Sequence, residues 1–352
     1  MKQLTFLIFL LSIFQYVHAQ PSKFEKWSNM TEASVKDTVF RVSSMSNDAV
    51  DIPVTFIRGS LKGPTFTIIA GIHGMEYPTI LSLLELRREI DPKKLKGNLI
   101  IIPIVNQTSF YQRRPFVNPM DSLNLNRVFP GDPKGSITEV MADFISREVF
   151  AVTDILLDMH GGDAGEDLIP FMCYYNNKEF EIQTKQALLL CEASGFSTIV
   201  SYPYILQTDK PALYAFKQAV RQGITAFSME IGKLGNWDRS ELVMAKDAIY
   251  RMMSALKMYQ RQKINPRNTS ITYYGGQTYV SVPVQGIFYS SFQAGDIVHK
   301  GTEIGYIADI FGNILNRLTA PKTGTILYKV GTPPVNKGET LFCIGHQYDK
   351  ED

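Results

Sequence analysis

Two of the five histidines share a setting that suggests chemistry. His73 stands in Gly71-Ile72-His73-Gly74-Met75-Glu76-Tyr77-Pro78, and His160 in Leu157-Asp158-Met159-His160-Gly161-Gly162. Each follows an apolar run and is followed directly by glycine. A histidine and a glutamate three apart, where a strand leads into a helix, turn an imidazole and a carboxylate toward one point. Alone, that pair fits a helix cap or a surface contact equally well. A second histidine brought in by a neighbouring strand makes two nitrogens and a carboxylate. Zinc takes such donors, and catalytic zinc sites commonly use three protein ligands plus water. Asp158, two residues before His160, can share its side of an extended strand and orient the ring, as ligand histidines usually require. A simple salt bridge is its other reading. His160 by itself also fits a hydrogen-bonded loop histidine, and His346 reads as a surface residue.

Glu230 ends the apolar run Ala226-Phe227-Ser228-Met229. A carboxylate at the end of a buried strand is costly unless it is paired or used. Beside an activated water it can accept a proton and return it to a leaving nitrogen; a salt bridge to Lys233 or Arg239 is the structural alternative. The stretch from Arg113 to Gly131, RRPFVNPMDSLNLNRVFPG, lacks regular periodicity and is crowded with Asn, Asp, Pro and Gly. Within it the planar fork of Arg127 suits a substrate carboxylate. Asn126 can bond a carboxylate or amide beside it, and Arg113 or Arg114 offers further positive charge. Phe129-Pro130-Gly131 reads as packing and turn.

The elements that must position these groups follow from the apolar pattern. Thr65–Gly71, Asn98–Val105, a run within Ala151–Met159, and Thr225–Glu230 look like strands buried on both faces. Helices are expected from Pro78 to before Asp91-Pro92, over Thr138–Phe150, over Glu179–Ala193 and over Glu241 to about Lys263. This alternation predicts an α/β fold, a mixed, mostly parallel sheet flanked by helices. Such sheets build sites beyond the carboxyl ends of their strands, where His73, His160 and Glu230 fall. From Ile271 onward short runs are broken by turns such as Gly275-Gly276, Lys300-Gly301 and Asn336-Lys337-Gly338, predicting a small all-β module. Residues 295–307 and 333–344 share a Lys-Gly step between strands, which fits two interlocked halves or merely similar hairpins. The expected division is 1–19, 20–263 and 264–352.

Met1-Lys2-Gln3, the apolar run Leu4–Phe14 and Val17-His18-Ala19 have the pattern of a secretory signal peptide cut after Ala19. The run is short for a membrane span, which needs about 20 residues, so an exported protein, periplasmic or secreted, is expected, with an uncleaved anchor as the other reading. A formal charge of +2 from 36 basic and 34 acidic residues gives no electrostatic case for nucleic acid. Cys173, Cys191 and Cys343 are odd in number and imply no disulfide framework. Buried thiols are expected.

Taken in order, HGxE at 73–76, NLNRVFPG at 124–131, DMHGG at 158–162 and MExG at 229–232 make the chain resemble the succinylglutamate desuccinylase/aspartoacylase family, distant relatives of the zinc carboxypeptidases. The likeness spans about residues 60 to 345. It implies one zinc on His73, Glu76 and His160, Asn126 and Arg127 on the substrate carboxylate, and Glu230 as acid/base. The AGDIVHKG and APKTGTI segments resemble a biotinyl/lipoyl-type barrel-sandwich. Its Phe311-Gly312-Asn313 hairpin has no lysine to carry a cofactor, so a structural part or a narrowing of the active-site mouth is expected. Two departures stand out. Asn124 replaces the Asp of many carboxypeptidase relatives, and the arginine pattern of aspartoacylases is not kept between Asn106 and Asp121, which leaves Arg113 the weakest candidate. The expected activity is zinc-dependent hydrolysis of the amide of an N-acyl amino acid or similar small carboxylate. A metallo-carboxypeptidase acting on peptides or cell-wall fragments is the second reading, and a binding protein with a relict metal site the third. The export signal argues against the cytosolic roles of the named enzymes.

Overall fold

Residues with side chains buried on both sheet faces dominate the centre of the molecule, and the strand arrangement explains why. The computed structural model describes Phe24, Trp27 and residues 32–204, 209–261, 264–266 and 270–349. The expected signal peptide lies outside them. In chain order the elements are β1 (Ser34–Ser43), β2 (Ala49–Arg58), β3 (Leu61–Ala70), α1 (Tyr77–Glu89), β4 (Lys96–Ile102), α2 (Gln107–Gln112), α3 (Ile137–Phe144), β5 (Ile155–His160), β6 (Glu166–Leu168), β7 (Phe171–Asn176), α4 (Glu181–Ala193), β8 (Thr198–Pro203), α5 (Ala215–Arg221), β9 (Thr225–Glu230) and α6 (Arg239–Ala255). β4, β3, β5 and β9 lie side by side and parallel, with Ala70 opposite Met159 and His160 opposite Glu230. The β1–β2 hairpin extends the β4 edge antiparallel, while β7 runs antiparallel to β9 and parallel to β8.

Successive residues of these strands serve opposite cores. Ile69, Ile100, Ile102, Leu156 and Ala226 face one side with Met141 and Ala142 of α3 and Ala215 and Ala219 of α5. Ile68, Leu99, Ile101, Leu157 and Phe227 face the other with Leu83 and Leu86 of α1, Leu190 of α4 and Ile249 of α6. A strand covered on both sides needs apolar residues at every position, hence the unbroken runs in the sequence. The α1–α6 contact is also tied by Lys246, whose Nζ donates to Glu85 at 2.7 Å and to Glu89, while the Tyr250 hydroxyl donates to Glu89 at 3.0 Å.

Three expected boundaries move. The last helix runs Arg239–Ala255, not Glu241 to Lys263. Asp238 caps its start, accepting from the Ser240 and Glu241 amides, and Glu241 reaches back to the Asp238 amide. Its end is a Schellman turn: Met258 N donates to Met253 O at 2.8 Å and Lys257 N to Ser254 O at 2.9 Å. Lys257 takes φ +56°, where glycine is usual, so the sequence gives no stop signal there. The Thr138–Phe150 helix is α3 continued by a π turn, Ile145–Val149. A 3-10 turn, Phe150–Val152, then occupies the start of the third expected strand and delays β5 to Ile155.

The last part of the chain is all β, as expected: β10 (Thr272–Ser281), β11 (Gly286–Tyr289), β12 (Ile297–Val298), β13 (Glu303–Ala308), β14 (Ile314–Thr319), β15 (Gly324–Val330), β16 (Pro334–Val335) and β17 (Thr340–Tyr348). β11, β13, β14 and β16 form a small antiparallel sheet of their own. It encloses a third core with Phe288, Ile304, Ile307, Ile326, Phe342 and Ile344. β10 pairs parallel with β8, Thr272 opposite Thr198, and β6 pairs with β15, so the large sheet continues into this module.

Candidate active site

α1 packs on one face of the sheet and α3 and α5 on the other, and the carboxyl ends of β3 and β5 lie side by side between them. Open α/β sheets bind ligands at such a point. His73 hangs in the turn after β3, and Glu76 occupies the residue just before α1, with Pro78 in the first helical turn. His160 is the last residue of β5, and Glu230 the last of β9 beside it. The glycine after each histidine answers to a close approach. A Cβ on Gly74 would lie 2.2 Å from the Ser109 carbonyl carbon, and one on Gly161 2.1 Å from Ile231 O.

His73 Nδ1 lies 2.7 Å from Glu76 Oε1, and His160 Nδ1 lies 3.1 Å from Glu76 Oε2. The outer nitrogens point away from this centre. His73 Nε2 meets Asn124 Oδ1 at 3.1 Å, and His160 Nε2 meets Asp158 Oδ1 at 3.1 Å. The second contact is an ion pair without the in-line shape of a hydrogen bond, so the fully buried Asp158 carboxylate has no conventional donor among the described residues. One donor atom from each of His73, Glu76 and His160 lies within 4.8 Å of the others, and all three side chains are buried. In each ring Nδ1 is the nitrogen turned toward the Glu76 carboxylate and Nε2 the one turned toward an outer acceptor. That donor set could hold a metal ion, and its chemistry fits zinc.

The charges are strongly coupled. Burial pushes the Glu76 carboxyl up, but the two histidines outweigh it and hold Glu76 at about 2. Burial disfavours the charged form of His160, yet Asp158 and Glu76 beside it raise its pKa well above the usual value. Glu230 keeps part of its surface open to the cavity. Burial, opposed by His160 and reinforced by Glu76 and Glu166, lifts it well above the ordinary carboxylate range. Among the described residues it makes no ion pair. Lys233 goes to Asp167 at 3.5 Å and Arg239 to Glu85, so neither alternative partner is taken.

These groups open into a cavity of about 540 Å³. Asn126 and Arg127 line it, held by the 3-10 turn Leu125–Arg127. Asn124 Oδ1 accepts from the Asn126 amide at 2.8 Å while also facing His73, which links the turn to the first histidine. Asn126 Oδ1 accepts from Ala215 N at 2.9 Å, so its NH₂ remains to face the site, 3.4 Å from His160 Nε2. Arg127 lies 4.7 Å from the centre of the Tyr214 ring. Arg113 does not join them: it closes α2 at φ +50°, with its side chain outside the cavity lining.

Sequence reasoning missed much of the wall. Phe116, at φ +59°, meets His73 edge-on at 5.6 Å. Tyr175, Tyr202 and Tyr214 come from the α/β part, Tyr279 and Tyr328 from the β module. Aromatic residues in separate strands carry no local signal of a shared pocket. Asp163 and Glu166 also went unremarked, although the acid-rich GGDAGED directly follows His160. Burial raises Asp163 to about 6, and burial with the charges of Asp163 and Glu76 raises Glu166 to about 8. All three cysteines are buried free thiols; Cys173 reaches the cavity wall and none lies in the donor set. His346 is partly buried and bonded through Nε2 to Thr278 at 2.7 Å.

Comparison with known proteins places the chain among deacylases. The model of the succinylglutamate desuccinylase/aspartoacylase catalytic domain matches residues 62–256. The chain belongs to this family. It is 30% identical over 311 residues to an N-alpha-acetyl-L-2,4-diaminobutyric acid deacetylase of Halomonas elongata, covering 85% of this chain and 88% of that one. Solved structures agree on the fold. A succinylglutamate desuccinylase/aspartoacylase from Rhodobacter sphaeroides superposes with a TM-score of 0.79 at 22% identity, over 91% of this chain and 97% of that one. The product-bound ectoine utilization protein EutE (DoeB) from Ruegeria pomeroyi gives 0.78 at 22% identity, over 89% and 96%.

Proposed function

We propose that the protein is a zinc-dependent hydrolase that cleaves the amide bond of a small N-acyl amino acid. The observation that carries this reading is the convergence of His73, Glu76 and His160 in one cavity with Glu230, Asn126 and Arg127. A zinc ion held by the first three residues would supply Lewis-acid activation of water and of the scissile carbonyl. The Arg127 guanidinium and the free NH₂ of Asn126 present donors only, suited to the α-carboxylate of the substrate. Glu230 takes the proton from the attacking water and delivers it to the departing amine nitrogen. Burial keeps its carboxyl basic enough for the first step and acidic enough for the second. Asn124 and Asp158 hold the two imidazoles with Nδ1 toward Glu76. We also take the chain to be exported, on the pattern of residues 1–19.

Turnover of a panel of N-acetyl and N-succinyl amino acids, with metal content measured before and after chelation, tests the activity. Loss of hydrolysis with the metal and recovery on adding zinc are expected; undiminished turnover by metal-free protein would overturn the proposal. N-terminal sequencing of protein recovered outside the cytosol should begin at Gln20.

A further inference from the structure

Phe116 stands on a backbone conformation that needs a reason. Its φ is +59°, and Val117 N donates to Pro115 O across it at 2.7 Å, which closes a γ-turn of the rare, strained hand. Buried groups hold this turn in place. The hydroxyl of buried Ser109 reaches Arg114 O at 2.7 Å and Val117 O at 3.2 Å. Arg114 N donates to Ser109 O at 3.0 Å, and the amide of buried Asn118 donates to Leu123 O at 2.9 Å. Strain kept by its surroundings points to a use for the residue that bears it. Here it sets the Phe116 ring edge-on to His73, 5.6 Å between centres, in the cavity lining and with 36% of the residue exposed. His73 gains no hydrogen bond from the ring, since Glu76 and Asn124 already engage its two nitrogens.

The order of strands tells which part of a substrate meets that ring. The sheet runs β4, β3, β5, β9, β7, β8. His73 follows β3, His160 ends β5 and Glu230 ends β9. Arg127 leans to the β7 side: it lies on the Tyr214 ring, and Lys217 Nζ lies 6.0 Å from the ring centres of both Tyr214 and Tyr175 of β7. Phe116 lies at the other end, against His73. A substrate with its α-carboxylate on Arg127 and its scissile carbonyl at the donor set therefore sends its acyl group toward Phe116. No cation awaits that group. Among the described residues Arg127 is the sole lysine or arginine lining the cavity, and Arg113 and Arg114 stay outside it. Covering an exposed aromatic ring with hydrocarbon is favourable, whereas pressing a carboxylate onto it without a partner is costly.

We propose that Phe116 is the acyl subsite of this cavity, a specificity residue against whose ring the acyl group of the substrate packs. The substrate class is then N-acyl amino acids whose acyl group is uncharged, apolar and longer than acetyl. This rests on the reading of the site as a deacylase.

The test varies the acyl group on one amino acid. N-isocaproylalanine is set against N-acetylalanine for length, and against N-succinylalanine for charge, because isocaproyl and succinyl share one branched outline. The zinc-loaded wild type should favour the isocaproyl substrate over each of the others by at least about tenfold in kcat/KM, mainly through KM, each tenfold being about 1.4 kcal/mol. In Phe116→Ala both ratios should collapse toward one, and Phe116→Leu should keep part of them. Ratios are read because a general loss of folding or metal would lower all three substrates alike. If Phe116 merely braces His73, Phe116→Ala loses zinc by elemental analysis while the ratios stay unchanged, and the proposal is overturned. A wild type that favours the acetyl or succinyl substrate overturns it as well. Calorimetric binding of the same three compounds separates the subsite from the deacylase reading. If none is hydrolysed but the isocaproyl compound binds at least about tenfold tighter and loses that margin in Phe116→Ala, the subsite stands and the reaction falls; equal binding removes the subsite.

Discussion

His73 hangs from the turn after β3 and rests its outer nitrogen on a neutral amide, Asn124, whereas His160 sits on the last residue of β5 and rests on a buried carboxylate, Asp158. The two rings turn equivalent atoms toward Glu76, yet the charge behind them differs. Glu76 and Asp158 together carry two negative charges, which balance a divalent cation. An aspartate at 124 would add a third and increase the mutual repulsion of the carboxylates around the two rings. Asn124 also serves two partners with one oxygen, the His73 ring and the Asn126 amide. The His73 arm is thus tied to the substrate-facing turn, while the His160 arm carries the electrostatic load.

The bluntest way to break this comparison is to remove either ring. His73→Ala and His160→Ala should each release the metal, measured by elemental analysis, and lower turnover by roughly 10³-fold or more, several kcal/mol of lost activation. Activity surviving in one but not the other would make the arms unequal at the first level. Glu230→Gln should keep its metal and lose about 10²- to 10⁴-fold in kcat; full turnover would remove Glu230 from proton transfer. The arms separate at the next step. Asp158→Asn should weaken metal affinity by about 10- to 100-fold. Asn124→Ala should cost less affinity but raise KM, because the Asn126–Arg127 turn loses its anchor. The reverse pattern, in metal titrations and initial rates, would show that charge is not what distinguishes them.

The smallest effect belongs to the acids that crowd the His160 arm. Burial and the charges of Asp163 and Glu76 lift Glu166 from the usual 4.5 to about 8 in the folded protein. Between those values the native chain keeps a proton that the unfolded chain has lost, so stability should fall as pH rises across that window. Chelator-treated protein should melt lower at pH 8 than at pH 5, and Glu166→Gln should reduce the difference. An unchanged slope in the variant would assign the pH dependence to other groups.

Some of this was legible in the sequence because it is local. The unbroken run Thr225–Glu230 folds as a strand with those very ends, since burial on both faces demands it. The convergence of His73, Glu76 and His160 followed from one rule, that parallel strands deliver their last residues to a common edge. Arg113 shows the limit of such reasoning. A cationic residue in a polar loop fits a binding role by composition, and only the left-handed close of α2 turns it elsewhere. Lys257 likewise ends a helix in a conformation that nothing in ALKMYQ announces. The β1–β2 hairpin went unread because its inner face is covered from afar, by Phe24 and Trp27 against Phe40 and Phe56. Tyr279 and Tyr328 reach the cavity through pairings such as β8 with β10, a relation that no local pattern encodes.

That pairing has a consequence for anyone wishing to dissect the protein. Cutting the chain after residue 263 would strip the partner from β8 and expose unsatisfied amides and carbonyls along Thr198–Val200, a ready template for self-association. The shortened polypeptide should precipitate or form intermolecular ribbons, and it would also lack the aromatic ceiling over its reaction chamber.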